Sequence, residues 1–84
     1  MNLSEKIMML RKKEGWSQEE LANHLQISRQ AVSKWEGAQS VPDLDKIIRL
    51  SELFGVSTDY LLKDEIEQAE HINSSNDIPS LKRV

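Results

Sequence analysis

Apolar residues recur three or four residues apart in five short stretches of the chain, and glycine or a loop ends most of them. The first stretch carries Leu3, Ile7 and Leu10, and Gly15 ends it. This spacing is typical of helices that bury one face, and no stretch shows the strict alternation of a strand. The pattern therefore predicts an all-α fold of five short helices.

The second helix begins with strong capping chemistry. Ser17 is placed as its N-cap, and Glu20, three residues later, completes a capping box. Trp16 and Leu21 have the spacing of a hydrophobic staple, which fixes the angle at which the chain enters the helix. A helix only a few residues longer than two turns needs such signals, since short helices are marginal by themselves.

The third helix is the most informative part of the sequence. Ser28 caps it after the short turn that contains Gln26. At about 100° per residue, Ala31, Val32 and Trp35 share one arc of this helix. The opposite arc, called the outward face here, carries four long or small polar residues: Arg29, Gln30, Ser33 and Lys34.

The fourth helix should be capped by Asp43, and the fifth by Ser57. The core-facing residues predicted for the fourth helix are Leu44, Ile47, Ile48, Ser51 and Phe54. On the same helical wheel Leu50 flanks this stripe, and Leu53 points outward. An outward leucine makes Leu53 a candidate contact for self-association.

The chain divides into a helical part and an acidic end. Residues 1–63 are predicted to form one domain and residues 64–84 a flexible tail or linker, rich in polar and turn-forming residues. The sequence ends on Lys-Arg-Val without a stop signal, which raises a second interpretation, that it is the N-terminal piece of a longer protein. Segment 64–70 is acidic and could instead fold on a protein partner.

Composition narrows the function classes. The 84 residues suffice for one small domain, and the net charge of −3 argues against a generic nucleic-acid binder. The chain has no cysteine, and His24 and His71 stand apart from other ligands, so we predict no metal site and no cofactor. No apolar run approaches the ~20 residues of a membrane span, and no catalytic set is visible, which predicts a cytoplasmic protein that is not an enzyme.

A polar outward face is ordinary by itself, but two features favour DNA recognition. The second and third helices have the lengths and the short turn of a helix-turn-helix. In addition, Arg can donate two hydrogen bonds to guanine, and Gln can pair with both the acceptor and the donor of adenine.

Two segments carry a family resemblance: LRKKEGWSQEELANHLQISRQAVSKWE and VPDLDKIIRLSELFGVSTDYLL. They resemble the Xre-type helix-turn-helix family, the relatives of the phage repressor and Cro proteins. The resemblance runs from Leu3 to Leu62. It implies a compact five-helix repressor-like domain that binds operator DNA, usually palindromic, as a homodimer and represses transcription.

The same resemblance implies roles for individual residues. It places the third helix in the major groove, with base contacts from Arg29, Gln30, Ser33 and Lys34. It implies phosphate contacts from Gln18, Ser28, Gln39 and Ser40. It also implies a structural ion pair between Arg11 and Glu36, although Arg11 could instead reach a phosphate.

The sequence departs from the family at two turns. Gln26 stands where the family usually has Gly, and a left-handed backbone there would cost about 1 kcal/mol. The later loop reads Gly37-Ala38-Gln39, where the family more often has a charged residue, then Gly, then Lys. An alternative function is an antitoxin-type module that grips a partner protein and represses its own gene.

Overall fold

The computed structural model describes residues 1–63, which form five helices and no strand. The helices are α1 (Leu3–Lys13), α2 (Gln18–Leu25), α3 (Arg29–Glu36), α4 (Leu44–Phe54) and α5 (Thr58–Leu62). The predicted all-α, five-helix class is confirmed. The predictions for residues 64–84 lie outside the described residues.

Each of these helices begins at a polar residue whose side chain accepts a hydrogen bond from the backbone N–H three residues later. The five caps are Asn2, Ser17, Ser28, Asp43 and Ser57. Asn2 with Glu5 and Ser17 with Glu20 form complete capping boxes. Each cap stabilises its helix by about 1 kcal/mol, which matters most for helices of two turns.

One core holds the helices together. Its buried apolar residues come from all five helices and from the α4–α5 turn: Ile7, Leu10, Leu21, Ala22, Leu25, Val32, Trp35, Ile47, Leu50, Val56, Tyr60 and Leu61. α3 packs against α1 and α2, and α5 packs against α1 and α4. α2 and α3 thus share one wall of the core, which sets the angle between them.

The predicted orientation of α4 is wrong in part. Leu50 is fully buried, whereas Leu44 is 69% exposed and Ile48 is 42% exposed. The buried stripe of α4 runs through Ile47, Leu50 and Ser51. Leu44 lies in the first turn of the helix, at the rim of the core, and is therefore exposed. Burial of Leu50 also turns Leu53 inward, where it packs partly buried against the core. The outward position predicted for Leu53 is therefore wrong.

A buried lysine joins the two ends of the described domain. Lys6 is 0% exposed, and its ammonium donates hydrogen bonds to the carbonyl oxygen of Tyr60 and, at 2.7 Å, to that of Lys63. The same Nζ lies 4.5 Å from the centre of the Tyr60 ring, in a cation–π contact. Lys6 therefore fixes the C-terminal end of α5 against α1.

Candidate nucleic-acid interface

The outward face of α3 is exposed along its whole length. Arg29, Gln30, Ser33 and Lys34 are all exposed, and together with Gln39 they line a shallow concave surface of about 350 Å³. No acidic side chain lines this concavity. The opposite side of the same helix buries Val32 and Trp35, so Trp35 is a packing residue and not a base-stacking one.

The turn before α3 contains a strained residue. Gln26 has φ 58° and ψ 45°, which is left-handed backbone, and its N–H donates to the α2 carbonyls of Ala22 and Asn23. This is the position at which the family usually has Gly. The left-handed conformation ends α2 and redirects the chain, so that Ser28 can begin α3 three residues after Leu25. Gln26 makes this turn at the cost of backbone strain, about 1 kcal/mol.

An ion pair holds the end of α3 to the rest of the domain. Arg11 Nε donates to Glu36 Oε2 at 2.7 Å, and Arg11 Nη2 donates to Glu36 Oε1 at 2.9 Å. The third contact of the guanidinium is a hydrogen bond from Nη1 to the carbonyl oxygen of Trp16, at 2.8 Å. The side chains of Arg11 and Glu36 are only 11% and 3% exposed. The pair therefore ties α1 to α3 away from bulk solvent.

The carboxylate of Glu36 raises the pKa of Arg11 above its usual value. The hydrogen bond between them is the largest cause, the opposite charge adds to it, and partial burial works in the other direction. Arg11 is thus charged at every physiological pH. Its three engaged nitrogens leave it committed to the structure of the domain.

Gln18, for which the family resemblance implies a phosphate contact, also contacts Glu36 within the protein. Its side-chain Nε2 donates to Glu36 Oε1 at 3.0 Å, and the residue is half-buried. One amide hydrogen of Gln18 is therefore bonded within the protein, and the second hydrogen on Nε2 is available to another acceptor. Ser28 and Ser40 are exposed, and Ser28 Oγ accepts from the Ala31 N–H at 3.1 Å, which leaves its hydroxyl hydrogen able to donate.

The loop after α3 folds back over the helix end. The N–H groups of Gln39 and Ser40 both approach the carbonyl oxygen of Lys34, at 2.8 and 3.4 Å. Ala38, between them and the helix, has φ 59°, again left-handed backbone. The glycine that would relieve this strain stands one position earlier, at Gly37, whose φ of −89° does not need it.

A family model described as "Helix-turn-helix" matches residues 7–61. The chain belongs to the helix-turn-helix family. The matched span includes α2, the turn at Gln26 and α3, which are the helix-turn-helix of this protein. The resemblance to Xre-type regulators is confirmed.

Relatives of this helix-turn-helix protein carry regulator names. It is 40% identical over 78 residues to the HTH-type transcriptional activator BcrR of Enterococcus faecalis, a match that covers 90% of this chain and 38% of the relative. It is 38% identical over 77 residues to the HTH-type transcriptional regulator ImmR of Bacillus subtilis, covering 90% of this chain and 61% of the relative. The chain thus spans less than two thirds of the length of either relative.

The fold is also that of a solved repressor. The crystal structure of the P22 c2 repressor protein in complex with a synthetic operator superposes with a TM-score of 0.71 at 33% sequence identity. The match covers 75% of this chain and 96% of that one. The repressor protein C2 of Salmonella phage P22 is likewise 33% identical over 66 residues, covering 79% of this chain and 31% of that protein. The repressor-like architecture is thereby confirmed.

The burial of Lys6 and the left-handed backbone of Ala38 were not predicted from the sequence of this helix-turn-helix protein. The burial of Lys6 had a signal, since Lys6 lies three residues after Leu3 and four before Leu10, on the apolar stripe of α1. The left-handed backbone of Ala38 had a weaker one, the shifted glycine of the Gly37-Ala38 pair. His24, one of the two histidines considered as metal ligands, is exposed and stacks on Trp16 with ring centres 4.1 Å apart.

The described residues also bear on metal binding and on membrane-spanning helices. Among residues 1–63 there is no group of three or more His, Cys, Asp or Glu side chains that could hold a metal ion. None of the helices in this range is both long enough and apolar enough to cross a membrane.

Proposed function

We propose that this protein is a sequence-specific regulator of transcription that places α3 in the major groove of double-stranded DNA. The observation that carries the proposal is the exposed outward face of α3, where Arg29 and Lys34 flank Gln30 and Ser33 and no acid intervenes. These side chains match base edges chemically, because Arg fits guanine and Gln fits adenine. Ser33, being small, lets the helix approach the groove closely.

The proposed phosphate contacts surround this face. Ser28 and Ser40 lie exposed at the two ends of α3, where their hydroxyls can donate to phosphate oxygens. Gln18 uses one amide hydrogen on Glu36 and keeps the other for a phosphate. Contacts of this kind fix the register of α3 on the duplex and leave sequence reading to the outward face.

We propose further that the protein binds a palindromic operator as a homodimer. Three exposed apolar side chains support this: Val41 (74%), Leu44 (69%) and Leu62 (54%). Val41 and Leu62 line one shallow, mostly apolar groove of about 400 Å³ beside the start of α1. A twofold dimer would set two copies of α3 about 34 Å apart, one turn of the DNA helix.

The direction of regulation follows from where the operator lies. We propose that the protein represses transcription by occupying a promoter. We also propose that it is located in the cytoplasm and catalyses no reaction. The P22 relative is named a repressor and the Enterococcus relative an activator, so the family accommodates both. The antitoxin alternative finds no support in these comparisons, since the relatives above are named as transcriptional regulators or repressors.

Titration of labelled DNA tests the proposal. A duplex from the region upstream of the protein's own gene is compared with a scrambled duplex at two salt concentrations. The upstream duplex should bind more tightly, with a slope of log K against log salt no steeper than about −4, since each subunit offers two cations on this face. Equal affinity for both duplexes at both salt concentrations would contradict sequence-specific binding.

A further inference from the structure

Gln39 follows α3 in the chain, yet it lies on the same surface as the outward face of the helix. It lines the concavity of about 350 Å³ together with Arg29, Gln30, Ser33 and Lys34. Gln39 is exposed, and none of the described hydrogen bonds engages its side-chain amide. The surface that faces the DNA in the proposed function is therefore longer than α3 by one side chain.

The backbone holds Gln39 in this place. The Gly37 N–H donates to the Ser33 carbonyl at 2.9 Å, and the left-handed Ala38 then reverses the chain. The reversal brings the Gln39 N–H to the Lys34 carbonyl at 2.8 Å, which fastens Gln39 over the last turn of the helix. The left-handed backbone of Ala38 thus brings the loop back to the outward face of α3.

We infer that Gln39 reads a base edge, with adenine as its best partner, and does not serve as a phosphate contact. This inference rests on the proposed function. A phosphate presents only acceptors, so it would use only the N–H₂ group of the exposed Gln39 amide and leave the amide oxygen to water. The major-groove edge of adenine offers an acceptor at N7 and a donor at N6, which satisfies both ends of the amide.

The neighbours of Gln39 leave room for this role. Ser33, on the helix turn above it, is small and exposed, so the amide can reach past the helix end into the groove. Lys34 lines the same concavity beside Gln39. A neutral Gln39 releases no counterion, so it adds sequence preference without adding general affinity for DNA.

The test is a selection from random duplexes followed by affinity measurements on every single-base variant of the selected site. Wild type, Gln39→Ala and Gln39→Glu are compared, with Ser40→Ala as the control in the same loop and Gln30→Ala as the control on the helix. Gln39→Ala should abolish the preference at one base pair, a loss of about 5- to 150-fold in discrimination, and leave the other positions unchanged. The base pair at which Gln39→Ala abolishes the preference should differ from the base pair at which Gln30→Ala does so.

Gln39→Glu provides the sharper readout, because Glu accepts a hydrogen bond from the N4 amine of cytosine. It should shift the preference at that one base pair from adenine towards cytosine, and Ser40→Ala should shift none. If Gln39→Ala weakened all sequences equally, or changed nothing, the base-reading role would be refuted while the proposed function stood. If wild type selected no sequence, both would be refuted.

Discussion

The buried ion pair between Arg11 and Glu36 should be worth far more than an ordinary surface pair. The perturbation is a double-mutant cycle of Arg11→Met, Glu36→Leu and the double variant, in which apolar side chains of comparable length replace the charged ones. Removing Arg11 leaves a carboxylate that is 3% exposed with Gln18 as its remaining side-chain donor. Breaking one partner of such a pair costs about 3–5 kcal/mol.

The magnitude decides how the measurement must be made. A domain of about 63 residues has a total stability of roughly 3–9 kcal/mol, so each single variant should be close to unfolding at 37 °C. The double variant buries no unpaired charge and should be more stable than either single one. We therefore expect a coupling energy of about 2–4 kcal/mol between Arg11 and Glu36. The hydrogen bond from Arg11 to the Trp16 carbonyl is lost both in Arg11→Met and in the double variant. Its contribution therefore cancels from the coupling energy.

Urea unfolding at 10 °C, followed by circular dichroism and by the fluorescence of the protein's two tryptophans, gives the four free energies. The raised pKa of Arg11 means that the pair's contribution is complete below the ordinary Arg pKa and is lost only as the pH rises through the higher folded value. The coupling should therefore not change between pH 7 and pH 10. A coupling below about 0.5 kcal/mol, within the range of exposed pairs, would show that burial does not strengthen this ion pair.

Three further variants test other parts of the structure. Ala38→Gly removes a left-handed alanine and should stabilise the domain by about 0.5–1 kcal/mol, which raises Tm in thermal unfolding by roughly 2–8 °C. Lys6→Met leaves two carbonyls without their donor and should cost about 1–3 kcal/mol in urea unfolding; unchanged stability would count against the clamp on α5. Val41→Lys, in the apolar groove beside the start of α1, should shift sedimentation towards monomer and weaken operator binding; a wild-type dimerisation constant would exclude this groove as the dimer contact.

Gly37→Ala is the matched control for Ala38→Gly. An added Cβ at Gly37 would lie 3.3 Å from the Ser33 carbonyl oxygen, closer than is usual, so this alanine should not stabilise the domain. If both exchanges raised Tm equally, backbone strain at Ala38 would not be the cause.

Local signals in the sequence were sufficient for most of the fold. The helices α2, α3, α4 and α5 begin at the capping residues that the sequence indicated, because a cap depends on residues only three apart. The arcs of α3 were also predictable, since an eight-residue helix with Val32 and Trp35 on one side has one way to face a core. The left-handed backbone of Gln26 was anticipated only through the family resemblance, since the family usually has Gly at this position.

Features that depend on packing between helices were harder to predict. The rotation of α4 is set by where the core ends, and a helical wheel cannot tell that Leu44 lies beyond its rim. The second partner of Glu36 is similar: Gln18 reaches it across 18 residues of sequence, once α2 and α3 are packed. The same holds for Gln39, which joins the outward face only because the loop reverses at Ala38.

Entry of the outward face of α3 into the DNA groove can be observed in the amide and side-chain NMR shifts, measured on titration with the selected duplex. We expect the largest changes at Arg29, Gln30, Ser33 and Lys34, with smaller ones at Ser28 and Ser40. Buried Ile47 and Leu50 of α4 should stay nearly unchanged. Large shifts confined to α4 and α5, with α3 unaffected by a duplex that binds specifically, would show that α3 does not enter the groove.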